Sequence, residues 1–434
     1  NNLNYSDPKA SSYFMRTFGM LPLDNSAKEI QRRLWTYFDR AYKLSAEIYE
    51  SKQSALKSKT QDEDIVGLPD FIAGEKTFVE IPEISIKFDN QKLIQYSNDI
   101  SAAFKSYKSL TGSWARLNGY KANIYYSNSE GSKASYPASV LRLVIQAETQ
   151  ASSGEIFELY QIYHALNETD LPTKEQVVQD VKVLAETLSA LKDAPVFDDV
   201  YNGPVLFEGQ AASEAVRKTM FYARNENLFA MRKPVTGNTG MNPAMQNRVS
   251  ADDRIDKKVS AEGLSVVAKP LMKSYNKVSL VGTYPIDMDG IVPPESTLLI
   301  ENGILKNLLS GRSPTSKIKQ PNGHVRLPFT TLNPMVVPGV IEVDYKDAVS
   351  KDELKKKLLE MAKEEGLEYA LIVREMTPNM SELKRVYKVD VKTGEEKLIR
   401  SAAFKGLTLN DLRKIAGAGN QKVVLNTTAG EDIQ

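Results

Sequence analysis

Ser26 followed by Glu29 has the spacing of a capping box, and Ile30, Leu34, Phe38, Ala41, Leu44 and Ile48 then recur at three- and four-residue steps. That period predicts a long amphipathic helix. Ser51 to Glu63 is polar and lysine-rich and Pro69 follows, a pattern expected of a linker. From Thr77 to Gln150 the period shortens: Ile84 to Phe88, Lys121 to Tyr126 and Ser139 to Gln146 alternate, interrupted by Asn128-Ser129-Glu130-Gly131. Antiparallel strands with helices packed on them are expected there. Glu158 to His164 reads as part of an amphipathic helix. Thr173 with Gln176 makes a second capping pair, and Val177, Val181, Leu184, Leu188 and Leu191 mark a helix that stops before Pro195.

Asp193 to Pro204 is the preferred boundary between two domains, 1–198 and 199–434. In the second, Leu298 to Ile300 and Ile304 to Leu309 flank Glu301-Asn302-Gly303, where Asn-Gly signals a type I′ hairpin turn. Ser350 with Glu353 caps a helix through Leu354, Leu358 and Met361 that ends at Gly366, with Tyr369 to Val373 as the next strand. Val386 to Val391 and Lys397 to Ile399 are expected to pair across Lys392-Thr393-Gly394. The fold class is α+β: an N-terminal sheet with packed helices, preceded by the long helix, and a strand-rich C-terminal domain. No repeat of fixed period points to a solenoid or propeller.

Composition changes this picture at two points. The 56 Lys and Arg nearly balance 55 Asp and Glu, so net charge offers no electrostatic footprint for a nucleic acid. There is no cysteine, which excludes disulfides, thiol nucleophiles and thiolate metal sites. No apolar run reaches the length of a membrane span. The first residues are Asn1-Asn2-Leu3, so removal of an N-terminal portion, and export to a periplasm, is expected, with a cytoplasmic location as the alternative.

Three stretches together resemble the TldD/PmbA family, whose members are described as modulators of DNA gyrase and as peptide-maturation proteases. They are Gly203-Pro204-Val205-Leu206-Phe207-Glu208-Gly209-Gln210-Ala211-Ala212; Gly282-Thr283-Tyr284-Pro285-Ile286-Asp287-Met288-Asp289-Gly290 with Leu299 to Lys306; and Arg312-Ser313-Pro314 followed by Asn322-Gly323-His324-Val325-Arg326. The resemblance runs from about Tyr13 to Leu425 and is stronger after Pro195. Active members carry His-Glu-x-x-x-His on the helix after the first stretch, where two imidazoles hold one zinc and the glutamate activates its water. Matched to that motif, the first histidine falls on Arg217, the glutamate on Lys218 and the second histidine on Tyr222. Two cations and a neutral phenol are the wrong donors for a divalent metal. The cysteine ligand of the TldD branch has no counterpart either. The resemblance therefore implies a PmbA-like chain with no metal and no cofactor, the non-metal subunit of a heteromeric peptidase. It would contribute peptide binding and assembly beside a zinc-bearing homologue, or beside a second copy of itself.

Residues expected along a peptide cleft are Glu208, Arg312, Asn322, His324 and Arg326. Of the two histidines, His164 has the setting of a structural residue, whereas His324 with Arg312 suits a peptide carboxylate or carbonyl. Glu208 follows an apolar run and is expected to pair with a nearby arginine. Asp287 and Asp289 fit either acid-base work or a turn in which Asp bonds its own backbone, the turn being the commoner arrangement. Ser213 lacks an assignable base, Gly417-Ala418-Gly419 does not open a helix after a strand, and the lysines at 355 to 357 suit a solvated helix face. A metal-independent hydrolase using acids with Arg312, His324 and Arg326, or a homodimeric scaffold, are the alternatives.

Overall fold

The computed structural model describes residues 26–58, 68–222, 226–231, 249–327, 334–377 and 382–428. Helix α1, Ala27–Ser58, begins where the capping pair places it, with the Glu29 N–H donating to Ser26 Oγ at 3.4 Å. It also overrides half of the expected linker, continuing to Ser58. Lys, Gln and Leu, none branched at Cβ, favour helix, and Lys52 is tied to Asp70. Residues 59–67 of that expected linker lie outside the described ones.

The first sheet is built on one long hairpin. Strand β1 is Phe78–Glu80, α2 is Asn90–Ala103, β2 is Gly112–Ser127, β3 is Lys133–Gln150 and β4 is Ile156–Ala165. Central β3 pairs antiparallel with β2 along its whole length and with β4, and parallel with β1. Two expectations are corrected here. Ile84 to Phe88 is not a strand, because the Asn123 side-chain amide takes both backbone groups of Ile84 at 3.0 Å. His164 is not on a helix but on β4, opposite Arg142; with Leu159 and Tyr160 both buried and Ala165 buried five residues on, the run has no clean two-residue alternation and mimics a helical stripe over so short a window. Helix α3, Lys174–Asp193, capped by Thr173, lays Val177, Val181, Leu184, Leu188 and Leu191 on Leu143, Ile145 and Leu159 of the sheet.

Two further sheets form the second half. After β5 (Val205–Phe207) and α4 (Gly209–Phe221) come β6 (Leu264–Ala268), β7 (Thr297–Glu301), β8 (Ile304–Leu305), the ladder β9 (Val325–Arg326) with β10 (Met335–Val336), and β11 (Ile341–Tyr345). Helix α5 (Lys351–Glu364), β12 (Tyr369–Met376), β13 (Leu383–Asp390) and β14 (Glu396–Ile399) complete it. One sheet runs β8-β7-β6-β11, all antiparallel; the other runs β14-β13-β12-β5, with β5 parallel to β12. The hairpin between β7 and β8 turns at Asn302 and Gly303, both at positive φ (46° and 86°), as the Asn-Gly pair predicts. A Cβ on Gly303 would also stand 2.8 Å from the Ala261 carbonyl oxygen. Helix α5 carries the full Ser350–Glu353 capping box. Of its lysines at 355 to 357, the last two are exposed as expected and Lys355 is half-buried, donating to Glu396 at 2.7 Å and to the Gly394 carbonyl. Helices α4 and α5 cover opposite faces of the last sheet, so this part is layered α/β/α within an α+β molecule.

Candidate functional site

A cavity of 2680 Å³ opens between the first sheet and the second half of the chain, bordered by Tyr136 and Tyr160 on one side and Glu208, Arg217, Arg326 and Glu375 on the other. Its framework is the first family-like stretch. Gly203 lets Leu367 and Tyr201 pack onto the backbone, since a Cβ would sit 2.4 Å from Leu367 Cδ1 and displace it. Gly209 turns the chain from β5 into α4 at φ +54°. Gln210 then acts as a substitute strand: its amide donates to the Met376 carbonyl at 2.9 Å and accepts from the Met376 N–H at 3.0 Å. That clamp holds the end of β12, where the ladder is irregular around Glu375, and such irregularities re-aim side chains.

Arg217 and Lys218 project from the last turns of α4, and Tyr222 is its C-cap. The three are gathered, not scattered. The Arg217 guanidinium lies 4.9 Å from the Tyr222 ring centroid and Lys218 Nζ 5.5 Å from it. Arg217 also pairs with Glu214 at 2.8 Å, and Glu214 is only 2% exposed. The site thus holds a buried carboxylate neutralised by an arginine where a metal would need free lone pairs. Among the described residues no group of three His, Cys, Asp or Glu is placed to hold a metal ion. Two cations and a phenol do not fit zinc.

The expected cleft residues divide. Glu208 and Arg326 border the cavity. Glu208 pairs with Arg374 at 2.8 Å and Lys351 at 3.1 Å, and Arg374 also holds Glu396. Flanking carboxylates raise the Arg374 guanidinium further above its ordinary value against the opposing effect of burial. Arg312, Asn322 and His324 do not border the cavity. Arg312 joins the halves elsewhere, gripping both Glu130 oxygens (2.6 and 2.7 Å) and the Ile72 carbonyl. Asn322 is a buried brace, accepting from the Ser310 N–H at 2.7 Å and donating to the Leu308 carbonyl at 2.7 Å. His324 is fully buried, with Nδ1 2.9 Å from Asn322 Oδ1 and its ring edge-on to Tyr284. Burial holds it down to about 4, so it is neutral at pH 7. Asn322 and His324 read in sequence as part of a ligand set; only the fold shows that their side chains point into the core.

Asp287 and Asp289 take the turn arrangement. Asp287 accepts backbone N–H bonds from Asp289, Ile291 and Val325, and Asp289 accepts one from Arg312 at 2.9 Å. Burial, with Asp289 nearby, pushes Asp287 up to about 7 despite those donors. Glu375 is the cavity residue that sequence reasoning missed, since a lone Glu in a strand carries no signal. Burial pushes it up to about 7 against the opposing effects of Arg385, Lys384 and the Tyr160 backbone; Oε1 has no hydrogen-bond partner among the described residues and Arg385 stands 3.9 Å from Oε2.

A raised carboxyl opposes folding as it ionises. Glu375 is protonated in folded and unfolded chains below pH 4.5, ionises first in the unfolded chain, and so withdraws stability as pH rises from 4.5 through 7. Glu375→Gln is therefore expected to gain about 3 kcal/mol relative to wild type between pH 4.5 and pH 8. Urea unfolding at the two pH values measures this, and a pH-independent difference would contradict it.

Residues 202–429 match the sequence profile of the PmbA/TldA metallopeptidase C-terminal domain. The chain belongs to this TldD/PmbA family. No curated protein shows significant sequence similarity to it. Among solved structures it is similar to a proposed modulator of a DNA gyrase from Thermotoga maritima, with a TM-score of 0.52 and 15% identity over 88% of this chain and 80% of that one. TldE from Thermococcus kodakarensis is similar with a TM-score of 0.52 and 13% identity, over 85% and 77% of the two chains. A proposed modulator of DNA gyrase from Bacteroides thetaiotaomicron gives 0.50 and 12%, over 85% and 76%. At such identities the likeness is one of fold. No helix among the described residues is long and apolar enough to cross a membrane.

Proposed function

We propose that this chain is a non-metal subunit of a heteromeric peptidase, contributing peptide binding and assembly beside a zinc-bearing homologue. The observation that carries this reading is the Arg217–Glu214 pair packed against Tyr222 on the helix where the family's zinc motif belongs. The cavity supports the peptide assignment: 2680 Å³ exceeds the roughly 300–1,000 Å³ of small-molecule pockets, and its mixed tyrosine, arginine and carboxylate border suits an extended chain with polar backbone. The division into domains 1–198 and 199–434 belongs to the same proposal, with the cavity between them. Elemental analysis of the purified chain tests it, together with peptidase assays run alone and mixed with a zinc-bearing homologue of the same organism. No stoichiometric zinc and activity only in the mixture are expected; zinc binding, or activity of the chain alone that chelators abolish, would refute it.

Glu375 favours one second reading, a metal-independent hydrolase. A carboxyl near 7 with a free oxygen on a cavity wall has the properties of a general acid or base. That reading predicts chelator-resistant activity of the chain alone that disappears in Glu375→Gln.

A further inference from the structure

Four arginines among the described residues border the cavity: Arg217, Arg326, Arg374 and Arg385. Three have a carboxylate: Arg217 has Glu214, Arg374 has Glu208 and Glu396, and Arg385 has Glu375. Arg326 has none among the described residues. Its one hydrogen bond, Nη1 to the Gly282 carbonyl, is 3.3 Å, long for an N–H···O bond. The guanidinium otherwise lies over the Tyr284 ring, 4.4 Å from its centroid. Tyr284 is itself locked, buried and donating its hydroxyl to the Gly323 carbonyl at 2.7 Å.

A guanidinium has five N–H donors and does not lose its proton in proteins. Taken out of water without a counter-ion it is costly. Burial indeed pulls Arg326 below its ordinary value, opposed by the surrounding phenols of Tyr284, Tyr136 and Tyr222. The cation-π contact with Tyr284 contributes about 0.5–2 kcal/mol, too little to replace a carboxylate. Tyr136 reaches the same place from β3 of the first sheet, close enough that the Arg326 charge acts on its phenol. Its hydroxyl makes no hydrogen bond with a described residue, so it is available as a donor.

We propose that Arg326 and Tyr136 form a carboxylate-binding subsite that clamps a peptide by its C-terminal α-carboxylate between the two halves of the chain. The inference rests on the peptide-binding reading above. Two coplanar oxygens match the guanidinium fork, one negative charge matches an arginine that has no carboxylate among the described residues, and Tyr284 holds the guanidinium from below. An acidic side chain near the end of a peptide has the same chemistry, so the experiment separates the two sources.

Binding of a randomised hexapeptide pool to the full chain is measured by calorimetry in three forms: free acid, C-terminal amide, and amide with glutamate at the last position. The free acid is expected to bind about tenfold or more tightly than the amide, as the loss of a charge-assisted bidentate pair implies. Arg326→Gln should erase that preference by bringing free-acid affinity down to that of the amide, and Arg326→Lys should restore only part of it. Tyr136→Phe, which removes one hydroxyl, should reduce the preference a few-fold and keeps the test open if Arg326→Gln does not fold. Recovery of affinity by the glutamate-ended amide would assign the carboxylate to a side chain at the same subsite. Equal binding of acid and amide would overturn the subsite and leave peptide binding standing. No binding of any form would remove both.

Discussion

Replacing Asp287 by Ala is expected to destabilise the chain by roughly 3–6 kcal/mol near pH 4. There its carboxyl, pushed up to about 7 by burial, is neutral in the folded chain, and the loss is smaller as pH rises and the ionising carboxyl opposes folding. This carboxyl group, 2% exposed, is the shared acceptor for three backbone donors: Asp289 and Ile291 on Oδ1, both at 2.9 Å, and Val325 on Oδ2 at 3.1 Å. Alanine supplies no acceptor, and each buried donor left unpaired costs about 1–3 kcal/mol. The upper end of that sum is not expected, because donors next to a large cavity regain some water. Asp287→Asn keeps a single oxygen and turns an N–H pair toward one of the donors, so its loss should be intermediate. The functional consequence is local: the Val325 bond and the Met288 N–H to the Val325 carbonyl (2.7 Å) tie β9 to this turn, and Arg326 is the next residue. Denaturant unfolding measures the effect. A loss below about 1 kcal/mol would mean that the turn, and with it the placement of Arg326, does not depend on this carboxylate.

Glu214→Ala is the second large effect, at about 3–5 kcal/mol, the cost of stranding the partner of a buried ion pair. Glu214 is 2% exposed and the Arg217 side chain 19% exposed, with Nη2 and Nε at 2.8 and 2.9 Å from one oxygen. The informative comparison is the double variant Glu214→Met with Arg217→Met. Removing both charges and keeping apolar volume is expected to recover most of the loss, as replacement of buried pairs by hydrophobic groups often does. If the double variant is as unstable as the single one, Arg217 is held by more than its charge. The distinction matters for function, because a helix that needs Arg217 only as a counter-ion could in principle regain other residues there.

Local chemistry was legible wherever it depends on neighbours in sequence. The capping pairs at Ser26, Thr173 and Ser350, the Asn302-Gly303 turn, the helix 174–193 and the pairing of β13 with β14 all follow from spacings of a few residues. The Glu208 partnership with arginine was likewise legible as the need of a half-buried carboxylate, though not which arginine would meet it. Run-length and period failed where a distant group competes. Asn123 occupies the backbone of Ile84, and β3 recruits the segment of His164 into a strand.

What the sequence determined by itself is the α+β pattern and the absence of any thiolate, since these depend only on which residues are present and in what order. What the tertiary structure alone decided is direction. His324, Asn322 and Arg326 lie within five consecutive residues, yet the first two turn into the core and the third toward the cavity. In one continuous strand residues two apart share a side, but the strand here is only Val325–Arg326 and Asn322 and His324 lie in the loop before it, so their direction is set by the partners the loop meets, the Ser310 and Leu308 backbone, a contact that no local pattern encodes.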